Sequence, residues 1–190
     1  MKVTVEKPQI ISLLYTQERS DPDYGSCLWA RFYLDTQNYT MSIESDCGNY
    51  SHGWVPTPDH ETFLHLLCRM DRDYLLCKLA EQSVVSGDDT WEALKELVQD
   101  TAECEDLEIE DSVWGDLKGA CYHQRDAREV HDSVFYALEY TAMHDKLDSF
   151  SVYECIVMDY TANAKKIVDV FLTAIVPVLK EMEVTNAEMQ

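Results

Sequence analysis

Apolar and polar positions alternate from residue 28 to 34, with Leu28, Ala30, Phe32 and Leu34 on one face and Trp29, Arg31 and Tyr33 on the other. The same period of two returns at Tyr39, Met41 and Ile43 against Thr40 and Ser42. Such alternation predicts half-buried strands. Asp35-Thr36-Gln37-Asn38 and Asp46-Cys47-Gly48-Asn49 supply turn residues, and a third short run extends from Tyr50 to Trp54. The first third therefore reads as an antiparallel meander, extended by an N-terminal strand drawn from Val3-Thr4-Val5 or from Ile10 to Tyr15.

The period then changes. Thr57-Pro58-Asp59 offers a cap, a first-turn proline and a first-turn acid, and Phe63, Leu66, Leu67, Met70 and Tyr74 follow at helical spacing. This predicts one helix from about Pro58. Its apolar face, Phe63, Leu67 and Met70, is expected on Leu28, Phe32, Met41 or Ile43. Asp88-Asp89-Thr90 predicts the start of a second helix with Trp91, Leu94, Leu97 and Val98 as its stripe, and Val130, Val134, Ala137, Leu138 and Thr141 mark a third. Val152 to Met158 reads as a returning strand because it is rich in β-branched residues. Ala164, Ile167, Val168, Phe171, Leu172, Ile175 and Leu179 form the face of a last helix, which Pro177 should kink or shorten, with Val184 to Gln190 frayed.

These elements predict an α+β fold, a three- to five-stranded antiparallel sheet with helices mainly on one side. At 190 residues a single domain is the default: meander to about 55, helical region 58–146, returning strand and C-terminal helix 151–183. The 46% of hydrophobic residues is enough to build a core.

Charge changes the picture. Thirty-six Asp and Glu against fifteen Lys and Arg leave a net charge of −21. By position the balance is −3 over residues 1–50, −6 over 51–100, −9 over 101–150 and −3 over 151–190. A field of this sign opposes approach to nucleic acid or to an anionic membrane and favours a basic partner. Seven cysteines without paired short spacings, and no apparent signal peptide, predict reduced thiols in a cytoplasm. The stretch Ile167–Leu179 is too short to span a bilayer.

Candidate chemistry is sparse. Cys47 and His52 share a turn region, as a thiol and its base would, but a hairpin explains them equally well and no acid is placed to orient the imidazole. His52, His60, His65 and Cys68 offer only one tight ligand pair, so no metal is expected. Paired carboxylates without a Gly-rich phosphate loop do not indicate Mg²⁺ chemistry. No cofactor and no enzymatic activity are expected, with a Cys- or metal-dependent hydrolase as the remote alternative.

The feature that stands out is the acidic run Asp100, Glu103, Glu105, Asp106, Glu108, Glu110 and Asp111, with no Lys or Arg among its residues. Such a run is often only a solvated face, yet to a basic groove it resembles the phosphate track of a nucleic acid. Trp29, Tyr33 and Trp54 lie on or beside the meander and are the candidate aromatic anchors.

The residues Trp29-Ala30-Arg31-Phe32-Tyr33, Asn38-Tyr39-Thr40-Met41, Ser45-Asp46-Cys47-Gly48-Asn49-Tyr50 and Trp54 to Glu61 with Phe63-Leu64-His65-Leu66 resemble small proteins of phages and prophages of gut Firmicutes. Among these are anti-CRISPR proteins directed at the type II-A effector Cas9. The resemblance covers roughly residues 25 to 80 and assigns no active-site residue. It implies a phage-encoded inhibitor in the bacterial cytoplasm whose partner is Cas9 or its guide-RNA complex. A regulatory or adaptor protein that binds another basic host factor is the alternative, and a homodimer is compatible with either.

Overall fold

The computed structural model describes residues 3–4, 8–56, 61–122 and 126–188, with side chains to residue 184. In chain order the elements are β1 (Ile10–Thr16), β2 (Trp29–Asp35), β3 (Thr40–Ser45), β4 (Gly48–Gly53), α1 (Phe63–Cys68), α2 (Arg72–Leu79) and β5 (Val84–Val85). Then come α3 (Gly87–Glu105), α4 (Asp111–Tyr122), α5 (Ala127–Leu138), α6 (Ser149–Glu154), β6 (Met158–Asp159), α7 (Ala162–Val170), a π-helical turn (Phe171–Ile175) and α8 (Val176–Glu188). The fold is α+β. The chain divides into two compact units, one of residues 1–81 and 162–190, the other of residues 82–161.

In the first unit the strands form an antiparallel meander in the order β1-β2-β3-β4. Leu34 faces Met41, and Phe32 faces Leu13 on one side and Ile43 on the other. Ala30, Phe32, Leu34, Met41 and Ile43 are buried, so the alternation in the sequence is the inner face of the sheet. Helices cover that face, and the Phe32 ring lies 5.7 Å from that of Phe171. The other face carries Trp29 and Leu14, both exposed. Leu28, expected inside, is also exposed. It precedes the first rung of β2, and its N–H donates to the Asp46 carboxylate at 2.9 Å.

Residues 63–79 form two helices where the spacing predicts one. Arg69 ends α1, and Asp71 restarts the chain as the cap of α2, accepting from the N–H of Tyr74 at 2.8 Å. The expected start at Pro58 lies outside the described residues. Thr62 is the cap of α1, accepting from the N–H of His65. Phe63 is buried against Tyr39 and Trp54, with ring centroids 5.1 and 5.7 Å away. Arg72 binds Asp169 at 2.8 Å, tying α2 to α7. Pro177 neither ends nor shortens the last helix. The wide turn Phe171–Ile175 precedes it, with the Val176 N–H reaching back to the Phe171 carbonyl. This relieves the segment in which the Thr173 carbonyl would meet a proline ring without an N–H. Helix α8 then continues through Val184, where fraying was expected, to Glu188.

The second unit is helical. Leu94, Val98, Leu117, Val130, Val134 and Leu138 are its innermost side chains. The two-residue strands pair Val84 with Asp159 and Val85 with Met158. Thr90 is buried, and its hydroxyl accepts from the Val157 N–H at 3.0 Å. The predicted strand over Val152–Met158 is a correction. Asp148 caps a helix by accepting from the N–H groups of Phe150 and Ser151, and Val152 becomes its buried residue, leaving only Met158 and Asp159 extended. A local cap decided what β-branching did not.

Replacing Phe63 by Ala should destabilise the protein by about 3 to 5 kcal/mol, as expected when a fully buried phenyl group is removed. A urea midpoint equal to that of the parent would show that Phe63 does not anchor α1 in the core.

Candidate functional site

The acidic run lies wholly in the second unit and is shaped by a helix end. Asp100, Glu103 and Glu105 sit on α3, and Asp106 terminates it in the left-handed conformation (φ 55°), with its N–H returned to the Ala102 carbonyl. Glu103 and Glu105 fall in the last turn of α3, which contains no basic residue. Negative charge at a helix C-terminus opposes the backbone dipole, so helix stability does not explain these acids. Beyond Asp106 the chain alternates. Leu107 and Ile109 turn inward onto the helical core, while Glu108 and Glu110 stay exposed up to Asp111, the first residue of α4. The Glu105 carboxylate is met by the Lys146 ammonium at 2.5 Å, a neighbour that sequence distance concealed.

The loop from Asp106 to Glu110 separates two hollows. One, of about 430 Å³, is lined by Glu103, Asp106, Leu107 and Trp114 among others. The second, of about 410 Å³, has Glu108, Glu110, Val113 and Tyr140 in its wall. A third, of about 500 Å³, lies between α4 and α5 and shares Ala137 and Tyr140 with the second. Its lining includes Gly115, Asp116, Gly119 and Tyr136. Tyr136 is 78% exposed and Tyr140 93%. A Cβ added at Gly115 or Gly119 would meet nothing within 4 Å, so packing of α4 does not require either glycine. The arrangement is a set of open hollows of mixed polar and apolar lining, rimmed by carboxylates and walled in part by two highly exposed tyrosines. It presents flat rings and negative charge, which suit cationic side chains.

Sequence reasoning missed both α4 and this tyrosine pair. The two glycines and the acidic start hid the helix, although Val113, Leu117, Ala120 and Cys121 carry its period. Tyr136 stands two residues from the buried stripe Val130, Val134 and Leu138, which is the signal that places it outward.

The remaining candidates belong to the first unit. Trp29 is 41% exposed on the open face of the sheet. Tyr33 is half-buried there and donates to Glu44 at 3.2 Å. Trp54 is half-buried, in edge contact with His52, its indole N–H donating to the Tyr74 hydroxyl at 3.1 Å. Cys47 is buried, its thiol donating to the Ser26 carbonyl at 3.1 Å. The ring of His52 instead faces Trp54, and burial and then Lys78 lower its pKa. His65 lies beside Glu61 and Glu183, at 3.8 and 3.6 Å. Cys68 is half-buried with its pKa raised chiefly by burial, and His60 lies outside the described residues.

No helix among the described residues is long and apolar enough to cross a membrane. Fold and surface thus define a small acidic α+β protein whose most distinctive feature is a charged helical unit. The model of a phage protein family, Phage_phiTE_072, matches residues 1–181, and the chain belongs to that family. The match spans both units. Neither the curated proteins nor the solved structures contain a match.

Two expected outcomes follow from this geometry. Gly115→Ala and Gly119→Ala should each raise stability by up to about 1 kcal/mol, since helix propensity improves and no clash is introduced. Loss of stability on urea titration would contradict the open space described above. The Tyr122 hydroxyl donates to Asp88, which with burial pushes its pKa up to about 12. A raised folded pKa means that this contribution is complete below the ordinary tyrosine range near 10 and is lost as pH rises through about 12. Tyrosinate absorbance of the folded Tyr122→Phe variant should therefore lack the last-titrating step; its persistence would refute the contact.

Proposed function

We propose that this phage protein acts without catalysis, by binding a basic protein that handles nucleic acid and occupying the surface that would hold phosphates. One observation carries the reading: the 80 residues of the second unit contain twenty acidic and five basic residues, a net −15 of the chain's −21. The charge of the first unit is only −6, from sixteen acids and ten bases. Folding does not call for such a concentration, and a field of this strength speeds encounter with a positive groove. The carboxylates of residues 100–111 supply the long-range attraction. The hollows beside Tyr136 and Tyr140 supply places for apolar and guanidinium groups to seat.

The resemblance of residues 25–80 to anti-CRISPR proteins directs the choice of first partner. Cas9 has positively charged channels for its guide heteroduplex and a PAM-reading surface built from arginines, both suited to an acidic competitor. In this reading the inhibitor excludes nucleic acid from one of them, inside the bacterial cytoplasm. A different basic host factor would be read by the same acidic surface.

The test is kinetic. Association with the Cas9–guide RNA complex should be fast at about 50 mM salt and slow markedly at about 300 mM, because the screening length shortens. Changing Glu103, Glu105 and Glu108 to Gln and Asp106 to Asn should lower the low-salt rate by about tenfold or more and flatten its salt dependence, with melting temperature unchanged or higher. Equal rates for the two proteins at low salt would reduce the run to a solvated face. No association at low salt would remove Cas9 as the partner.

A further inference from the structure

We propose that the first unit contains a binding site for a zinc-like transition-metal ion, ligated by the thiolates of Cys27 and Cys47 and the carboxylate of Asp46. The three ligand atoms all lie within 4.8 Å of one another, although nineteen and twenty residues separate Cys27 from the other two. The sheet makes this juxtaposition. Ala30 pairs with Ser45 at the end of the β2–β3 ladder, and the Asp46 N–H continues it to the Trp29 carbonyl at 3.4 Å. The residues just before β2 and just after β3 are thereby held side by side. Gly48, at φ +114°, then turns the chain into β4. Cys27 and Cys47 are buried at 0% and 4% exposure, while Asp46 is exposed. Two soft donors thus come from the interior and one hard donor from the solvent side.

The donors suit the ion. The Asp46 carboxylate is anchored by the N–H groups of Leu28 at 2.9 Å and Trp29 at 3.4 Å, on different oxygens. Each oxygen keeps a lone pair for a metal, and backbone bonds of this kind fix a ligating carboxylate. The Cys47 thiol donates to the Ser26 carbonyl at 3.1 Å and the Cys27 thiol to the Trp29 carbonyl at 3.7 Å, both weak bonds. Cys27 also interacts with Cys47 and Asp46, contacts that a shared metal would replace. Zinc–sulfur bonds of about 2.3 Å in a tetrahedron place two sulfurs roughly 3.8 Å apart, which is compatible with ligand atoms that lie within 4.8 Å of one another. A water completes four-coordination from the open side. Binding one dication to two thiols and a carboxylate releases two protons to solvent and leaves the site with a single negative charge.

The experiment uses the full chain, reduced, in a Cys77→Ser, Cys104→Ser background that removes the two exposed thiols. Titration with Co²⁺ should give a thiolate-to-cobalt charge-transfer band saturating at one equivalent and displaced by Zn²⁺. The band should vanish in Cys27→Ser and in Cys47→Ser. Asp46→Asn should bind Co²⁺ more weakly by roughly ten- to a hundredfold, at least what loss of an outer-sphere partner costs. Should a buried-cysteine variant fail to fold by circular dichroism, proton release decides the question in the folded background protein, with two protons expected per ion bound. No band at one equivalent, a band that persists in either folded cysteine variant, unchanged affinity in Asp46→Asn, or fewer than two protons released would overturn the site.

Discussion

An ionised carboxylate holds its hydration shell tightly, and stripping that shell without an opposite charge costs far more than any single packing contact returns. The unit of residues 82–161 carries twenty such groups on 80 residues, so its helices must turn them all to water while still closing a core. Several local features of the unit follow this constraint. Its helices bury narrow stripes, such as Val130, Val134 and Leu138 on α5. The loop after α3 alternates so that Leu107 and Ile109 go in while Glu108 and Glu110 stay out. Some acids find structural use at helix starts, where Asp126 and Asp148 accept backbone N–H groups and the dipole favours them. Among residues 100–111, Asp111 in the first turn of α4 has that use, whereas Glu103 and Glu105 in the last turn of α3 do not.

That contrast connects structure to function. Acids at the last turn of α3 and along the following loop cost self-repulsion, relieved in part by Lys146. In the function proposed above, a chain that keeps them gains an electrostatic surface that acts at a distance, with hollows and exposed tyrosines that act on contact. Attraction without seating would give fast but short-lived complexes. Seating without attraction would give slow ones. The second unit carries the acidic run, the hollows and the exposed tyrosines between residues 99 and 143, and the family match covers this unit together with the sheet.

The first unit follows a different logic. Its sheet has one buried face and one open face, and its helices are fastened by specific polar bonds: Arg72 to Asp169, Thr62 to Glu183, and Lys166 to Asp23. These pairs join segments about a hundred residues or more apart in sequence. They give the N-terminal meander and the C-terminal helices a defined mutual arrangement that hydrophobic burial, which has no direction, does not select.

The meander was legible because strand alternation and turn chemistry are both local: Phe32 and Leu34 must share a face whatever surrounds them, and Asp35 to Asn38 must turn. The stripes of α3, α5 and the C-terminal helix were legible for the same reason. What failed was reading where one local preference yields to another. Met70 and Tyr74 continue a helical period that Asp71 interrupts by capping, and Val152 is β-branched yet follows the Asp148 cap. At Pro177, where a kink or shortening is expected, the chain makes the wide turn Phe171–Ile175 and then continues as helix to Glu188. The charge, its sign and its concentration after residue 100 were determined by sequence alone, because composition fixes net charge. Only tertiary structure placed Lys146 on Glu105, stood Tyr136 and Tyr140 beside acid-rimmed hollows, and brought Cys27 to Asp46 and Cys47. Such meetings depend on which surfaces pack across long stretches of chain, and no local periodicity encodes them.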